Sequence, residues 1–297
     1  MNDQDPGSDF ILSAIRRARA ERAAAAPAGA AGSVPGAGVG PGVGVGVRPE
    51  PGPAPTTAAW EALSAFAPDP RHLERRLIRT LHGGAAAKPF DMIRTRLLHQ
   101  MRSNGWRRVA ITSPSSGCGK TMLSVNLALS LARQGDTATM AVELDMRRPA
   151  MAGLLGLRAG HQIAEALAGR AAAEACMVRV GSNLALATNH HPVPEAAELL
   201  ASREAAHVLD RVEAEFAPDV MLFDLPPLML TDDAMAFMDQ IDCVLLLAAA
   251  ERNTMAEITR CAEDLAGRCN FLGVILNKCR FMGDEERYGY GPSYGEA

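Results

Sequence analysis

From residue 88 onward, short apolar runs alternate with longer segments whose apolar positions recur every three or four residues. The runs predict strands over 107–113, 138–144, 183–187, 219–224, 242–249 and 271–277. The periodic segments predict helices over 90–103, 119–134, 195–216 with a break near Ser202, 231–239 and 254–267. Strands that are apolar almost throughout are covered on both faces. The alternation therefore predicts an α/β three-layer sandwich, a mostly parallel sheet between two layers of helices. Ligands of such sheets sit at the carboxyl ends of the strands.

Upstream the pattern changes. Phe10, Ile11, Ala14 and Ile15 form an apolar stripe followed by Arg16, Arg17, Arg19 and Arg22. That combination predicts a short basic amphipathic helix within 1–23, suited to a membrane surface or to a docking partner. Residues 24–57 are dominated by Ala, Gly, Pro and Val and are expected to form a disordered linker. The division expected is a partly helical docking segment at 58–87, the main domain at 88–282 and a flexible tail at 283–297.

Charge sharpens this picture more than bulk composition does. The net charge is −4, yet residues 71–108 hold ten Lys or Arg against Glu74 and Asp91. Such a block suits acidic lipid headgroups, an acidic partner, a neighbouring subunit or plain solvation of helix faces. No nucleic-acid partner is expected. The six cysteines form no C-x-x-C pair and lie mostly in apolar segments, which predicts free thiols in a reducing compartment. No apolar run reaches the roughly 18 residues a membrane span needs. The expected location is cytoplasmic, with any membrane link peripheral.

The chemistry is concentrated at strand ends. Between the strand at 107–113 and the helix at 119–134 lies Ser113-Pro114-Ser115-Ser116-Gly117-Cys118-Gly119-Lys120-Thr121. Gly117 and Gly119 let backbone N–H groups approach phosphate oxygens, Lys120 reaches the terminal phosphates, and the Thr121 hydroxyl suits Mg²⁺. The nucleotide-contacting run is thus Ser115, Ser116, Gly117, Cys118, Gly119, Lys120, Thr121 and Met122. Pro114 stands where the strict phosphate-loop pattern has Gly, so this is a variant loop. The chain has only three lysines (Lys88, Lys120 and Lys278) among 30 basic residues. A Lys kept in the loop argues that a compact ammonium is needed there.

Two further strands end in acids. Glu143-Leu144-Asp145-Met146-Arg147 follows the apolar 138–142, and Asp224-Leu225-Pro226-Pro227 follows 220–223. Glu143 and Asp145 are two residues apart, which puts both on one face of the strand tip. Carboxylates beside a triphosphate imply a divalent cation between them, so Mg²⁺ is expected on Thr121, Glu143, Asp145 and Asp224. One carboxylate would also accept a proton from an attacking hydroxyl. The chain's three tyrosines, Tyr288, Tyr290 and Tyr294, cluster in a Gly-Pro tail where they would be exposed and within reach of an active site.

In order and spacing these motifs resemble the bacterial tyrosine kinases of capsule and exopolysaccharide synthesis, in their free-standing form. The similarity runs over about 88–297 and includes Ala197-Glu198-Leu199-Leu200. It implies a P-loop fold that uses ATP and Mg²⁺ to phosphorylate tyrosines of the tail on a neighbouring subunit. Lys120 and the loop amides would hold the phosphates. Asp145 would orient or deprotonate the tyrosine, with Arg147 positioning it, while Thr121, Asp224 and Glu143 manage the cation. Asn277 lies where related folds contact the base. The implied partners are a membrane polysaccharide co-polymerase, a cognate tyrosine phosphatase and further copies of the chain.

The resemblance departs at three points. Glu143 stands where the family has Asp, and Asp91-Met92-Ile93-Arg94 only partly matches the family's oligomerisation helix. The tail also holds few tyrosines. Two other readings stay open. A partitioning ATPase would carry a signature Lys where this chain has Ser115. A nucleotide-gated regulatory module would dock the co-polymerase and turn over little.

Overall fold

A computed structural model describes residues 57–279, except 159 and 161. The predicted N-terminal basic helix, the linker but for its last residue Thr57, which is helical, and the three tail tyrosines therefore lie outside the described residues.

The first described elements are helix α1 (Thr57–Ala62), strand β1 (Ser64–Ala65) and helix α2 (Pro70–Arg75). Helix α3 (Lys88–Asn104), strand β2 (Arg108–Thr112), helix α4 (Lys120–Ala132) and strand β3 (Thr139–Glu143) follow. Then come α5 (Met151–Leu155), α6 (Ile163–Leu167), β4 (Met177–Val180), β5 (Leu184–Ala187), α7 (Ala196–Leu200) and α8 (Arg203–Phe216). The last are β6 (Val220–Asp224), α9 (Asp233–Ala236), β7 (Cys243–Ala249), α10 (Met255–Ala266) and β8 (Asn270–Asn277). One eight-stranded sheet has the order β1-β4-β5-β3-β6-β2-β7-β8. Every pairing is parallel except β4 with β5.

The sheet is mostly parallel because its central strands have nothing polar to show to water. Every residue of β3, β6 and β7 is buried. Side chains alternate between two cores, as the period of a strand requires. Val109, Ile111, Ala141 and Leu222 face the layer of α3 and α4, whereas Ala110, Val142 and Phe223 face the layer of α8 and α10. Helix α4 is buried along residues 123–131, including Ser124, Asn126 and Ser130. A helix apolar nearly all round must be covered on both sides. Here the sheet lies on one side, with α3 and the N-terminal segment on the other.

The six strands predicted from apolar runs form within a residue or two of their expected bounds. The expected break near Ser202 occurs because its side chain accepts from Ala205 N at 3.1 Å and starts α8 as an N-cap. The helix expected over 231–239 is only α9 followed by a 3₁₀ turn at Met238–Gln240. The Thr254–Glu257 capping box fixes the start of α10.

Residues 57–80 are built into both cores. Trp60 donates its indole N–H to Phe216 O at 2.9 Å and packs edge-on against that ring, with centroids 5.8 Å apart. Strand β1 adds an edge to the sheet beside β4. Leu73 and Ile78 enter the α3–α4 core. Asn126 of α4 accepts from Arg79 N at 2.8 Å and donates to Leu77 O at 3.3 Å, pinning the turn after α2. Asp91 of α3 also bonds inward, accepting from Ser130 Oγ at 2.5 Å and pairing with Arg94 and Arg133. The two charged residues of the stretch that partly matches the oligomerisation helix, Asp91 and Arg94, are thus engaged within the chain. All six cysteines are free, and five are buried. No helix among the described residues is long and apolar enough to cross a membrane.

Candidate active site

The parallel arrangement brings the carboxyl ends of β2, β3, β6, β7 and β8 to one edge, and the motif residues gather there. Gly117 and Gly119 have φ of +75° and +102°, conformations that side chains disfavour. A Cβ at Gly119 would stand 2.6 Å from Asn277 Nδ2, so space as well as dihedral angle excludes other residues. These glycines turn the loop into the first turn of α4, where Lys120 is 6% exposed.

Lys120 Nζ lies 3.3 Å from Asp145 Oδ2. Beside them Asp224 is fully buried. Its Oδ1 accepts from Ser124 Oγ at 3.1 Å, while Oδ2 is buried without a hydrogen-bond partner. Burial pushes the Asp224 carboxyl up to about 6; the Lys120 ammonium and Thr121 hydroxyl act against the rise, and Asp145 adds to it. A buried carboxylate oxygen with free lone pairs, next to a threonine hydroxyl and a second carboxylate, is a donor set that fits a hard divalent cation. Among the described residues no cluster of three or more His, Cys, Asp or Glu is placed to hold a metal by itself. Any such ion would need oxygens from a ligand as well.

The geometry gives three of the predicted site residues partners of their own. Glu143 sits in register with Asp224 on the neighbouring strand, but its oxygens are taken. Oε1 accepts from Ala150 N at 2.6 Å and Met151 N at 2.7 Å, and Oε2 accepts from Asn189 N at 2.9 Å. It anchors the start of α5 to β5's exit loop and is not free to coordinate Mg²⁺. Burial lifts its carboxyl to about 7 despite these three N–H donors, and nearby Asp224 adds to the rise. Arg147 does not position Asp145. Its guanidinium makes a two-pronged pair with buried Asp233 of α9, at 2.7 and 3.0 Å. Asn277 is engaged by the loop itself: Nδ2 donates to Cys118 O at 2.8 Å, and Oδ1 accepts from Lys278 N at 2.9 Å.

The sequence reading missed the residues that brace the loop. Asn253 accepts from Ala249 N and from Cys118 Sγ, and donates to Ser115 Oγ at 3.0 Å. Cys118 also donates to Ser115 O. Lys278, at φ +61°, places Nζ 2.7 Å from Gly117 O. Thr112 Oγ1 donates to Pro226 O at 2.7 Å, which ties the loop's base to the Asp-Leu-Pro-Pro turn. Ser124 was findable, being a polar residue one helical turn after Lys120 on a mostly apolar helix. Asn253 gave no signal, since Arg252-Asn253-Thr254 reads as an ordinary turn.

EpsB of Ralstonia nicotianae, which carries a tyrosine-protein kinase name, is 29% identical over 225 residues, 74% of this chain but 29% of EpsB. Tyrosine-protein kinase YwqD of Bacillus subtilis is 26% identical over 206 residues, 69% of this chain and 85% of YwqD. The kinase domain of Escherichia coli tyrosine kinase ETK superposes with a TM-score of 0.62 at 24% identity, covering 82% of this chain and 98% of that domain. Residues 109–287, more than half of the sequence, match the CobQ/CobB/MinD/ParA nucleotide binding domain, and the chain belongs to that family.

Proposed function

We propose that the chain is an ATP-dependent protein-tyrosine autokinase that regulates exopolysaccharide or capsule polymerisation and export. The observation that carries this is the convergence of Lys120, Asp145 and the half-satisfied Asp224 behind the glycine loop. The tyrosine-protein kinase names of EpsB and YwqD support it for the covered region.

In this reading the loop amides and Lys120 hold the β- and γ-phosphates, and phosphate takes over the ammonium from Asp145. A tail tyrosine (Tyr288, Tyr290 or Tyr294) attacks the γ-phosphorus through its hydroxyl oxygen. The bond to the β–γ bridging oxygen breaks, ADP leaves with that electron pair, and Asp145 takes the phenolic proton. Thr121 and Asp224 would hold Mg²⁺, which supplies charge neutralisation to the phosphates. Glu143 stands behind them as a structural anchor. The tail of a second copy is the nearest acceptor class, a membrane polysaccharide co-polymerase is the activating partner, and a tyrosine phosphatase reverses the modification.

The test is phosphotyrosine mapping by mass spectrometry after incubation with ATP and Mg²⁺, with and without the intracellular segment of a co-polymerase. Phosphate on the tail tyrosines, lost in Lys120→Met, is expected. Deleting 285–297 should abolish it while nucleotide binding survives. ATP binding without tyrosine phosphate would favour the gated regulatory module, and accumulation of ADP without it a partitioning-type ATPase.

A further inference from the structure

The turn after α2 carries a surface that the nucleotide site does not use. Arg71, Arg75, Arg76 and Arg79 are all exposed there, with Glu74 the one acid among them. Among the described residues none of the four guanidiniums forms an ion pair. Their backbone is nevertheless held firmly. Asp69 caps α2 by accepting from Arg71 N at 3.0 Å, Leu73 and Ile78 are buried, and Asn126 grips Leu77 O and Arg79 N from beneath.

Leu77 sits in the middle of this cluster and breaks two rules at once. It is a large apolar side chain 55% exposed to solvent, and its φ of +61° is a conformation where Gly or Asn would be at ease. Strain and exposure at one rigid position point to a use for that side chain outside the fold. An exposed apolar side chain flanked along the chain by exposed cations matches the interface of an anionic bilayer. There guanidiniums meet headgroup phosphates and the apolar group enters the acyl boundary. An acidic peptide would meet the arginines alone and leave exposed Leu77 without a role.

We propose that Arg71, Arg75, Arg76, Arg79 and Leu77 form a docking surface for an anionic lipid bilayer.

The experiment is sedimentation of the full chain with phosphatidylcholine vesicles, with and without phosphatidylglycerol. Binding is expected only to the anionic vesicles and should weaken as salt is added. Each cation at such a surface is worth about fivefold in partitioning. The double variant Arg75→Glu/Arg76→Glu should therefore lose about 25-fold or more, although the N-terminal arginines remain. Leu77→Asn should lose about tenfold while its melting temperature holds or rises, because Asn tolerates the left-handed backbone. A merely structural Leu77 would instead lower the melting temperature. Equal binding to both vesicle types, or wild-type binding by both variants, overturns the proposal. Tight capture of soluble polyglutamate that is indifferent to Leu77→Asn would also overturn it, by assigning the surface to an acidic protein.

Discussion

Glu143 and Asp224 end adjacent strands, pair in register, are both fully buried and both titrate well above ordinary carboxylates. They differ in what their oxygens meet. Glu143 accepts three backbone N–H groups, whereas Asp224 meets only hydroxyls, from Ser124 and the neighbouring Thr121, and no backbone N–H reaches its Oδ2. Depth and charge do not separate the carboxylate proposed to meet the cation from the structural one; the remaining hydrogen-bond capacity does. A buried oxygen left unpartnered is costly to the fold, and it stands ready for a cation.

The comparison breaks most visibly if its functional half is wrong. Asp224→Asn should weaken Mg²⁺-dependent nucleotide binding by about 100-fold or more, yet leave stability within about 1 kcal/mol, since a costly buried charge goes with it. Calorimetric titration and a melting curve on the same sample read both quantities. Glu143→Ala should do the reverse. Removing the acceptor strands up to three N–H groups at about 1–3 kcal/mol each, so a loss of about 3 kcal/mol or more is expected in urea unfolding. Nucleotide affinity of the folded fraction should change less than in Asp224→Asn.

The pH dependence sharpens the same contrast. Both carboxyls have folded pKa values above their unfolded ones, so between about pH 4.5 and 7 the native state binds more protons than the unfolded state. Their contribution therefore falls as pH rises through that window. Glu143→Gln should flatten the decline, by on the order of 1–3 kcal/mol between the ends of the window, measured against wild type in parallel denaturation series. The smallest effect is expected at the brace. Asn253→Ala should raise the nucleotide dissociation constant about three- to tenfold through a loosened loop, with Asp224 and Glu143 unaffected. An unchanged dissociation constant would show that Cys118 and Asn277 suffice to shape the loop.

How much of this was legible in the sequence follows from the range over which each feature is determined. The central strands and α4 declare themselves because burial on both faces leaves only apolar residues. The phosphate loop is legible because its glycines are needed by local backbone geometry. Strand β1 has only two residues and strand β4 is interrupted by Arg179, so neither presents an apolar run, and they exist because each finds a neighbour in space. The same limit explains the misread residues. Arg147 lies two positions from Asp145 in sequence, yet its partner Asp233 comes from α9, 86 residues away. The partners of Glu143, namely Ala150, Met151 and Asn189, lie beyond the motif, where no spacing rule points. Local chemistry was readable, and long-range satisfaction of hydrogen bonds was not.

The parallel pairing of β1 with β4, and the bond from Trp60 to Phe216, also set an order of events. The ribosome makes the 57–65 stretch before the rest of the sheet, but its docking partners emerge more than a hundred residues later. The stretch must wait, unpaired, until α8 has formed. Loop-closure entropy makes contacts of such long range costly to form early, so this margin of the sheet is expected to close late as the molecule assembles.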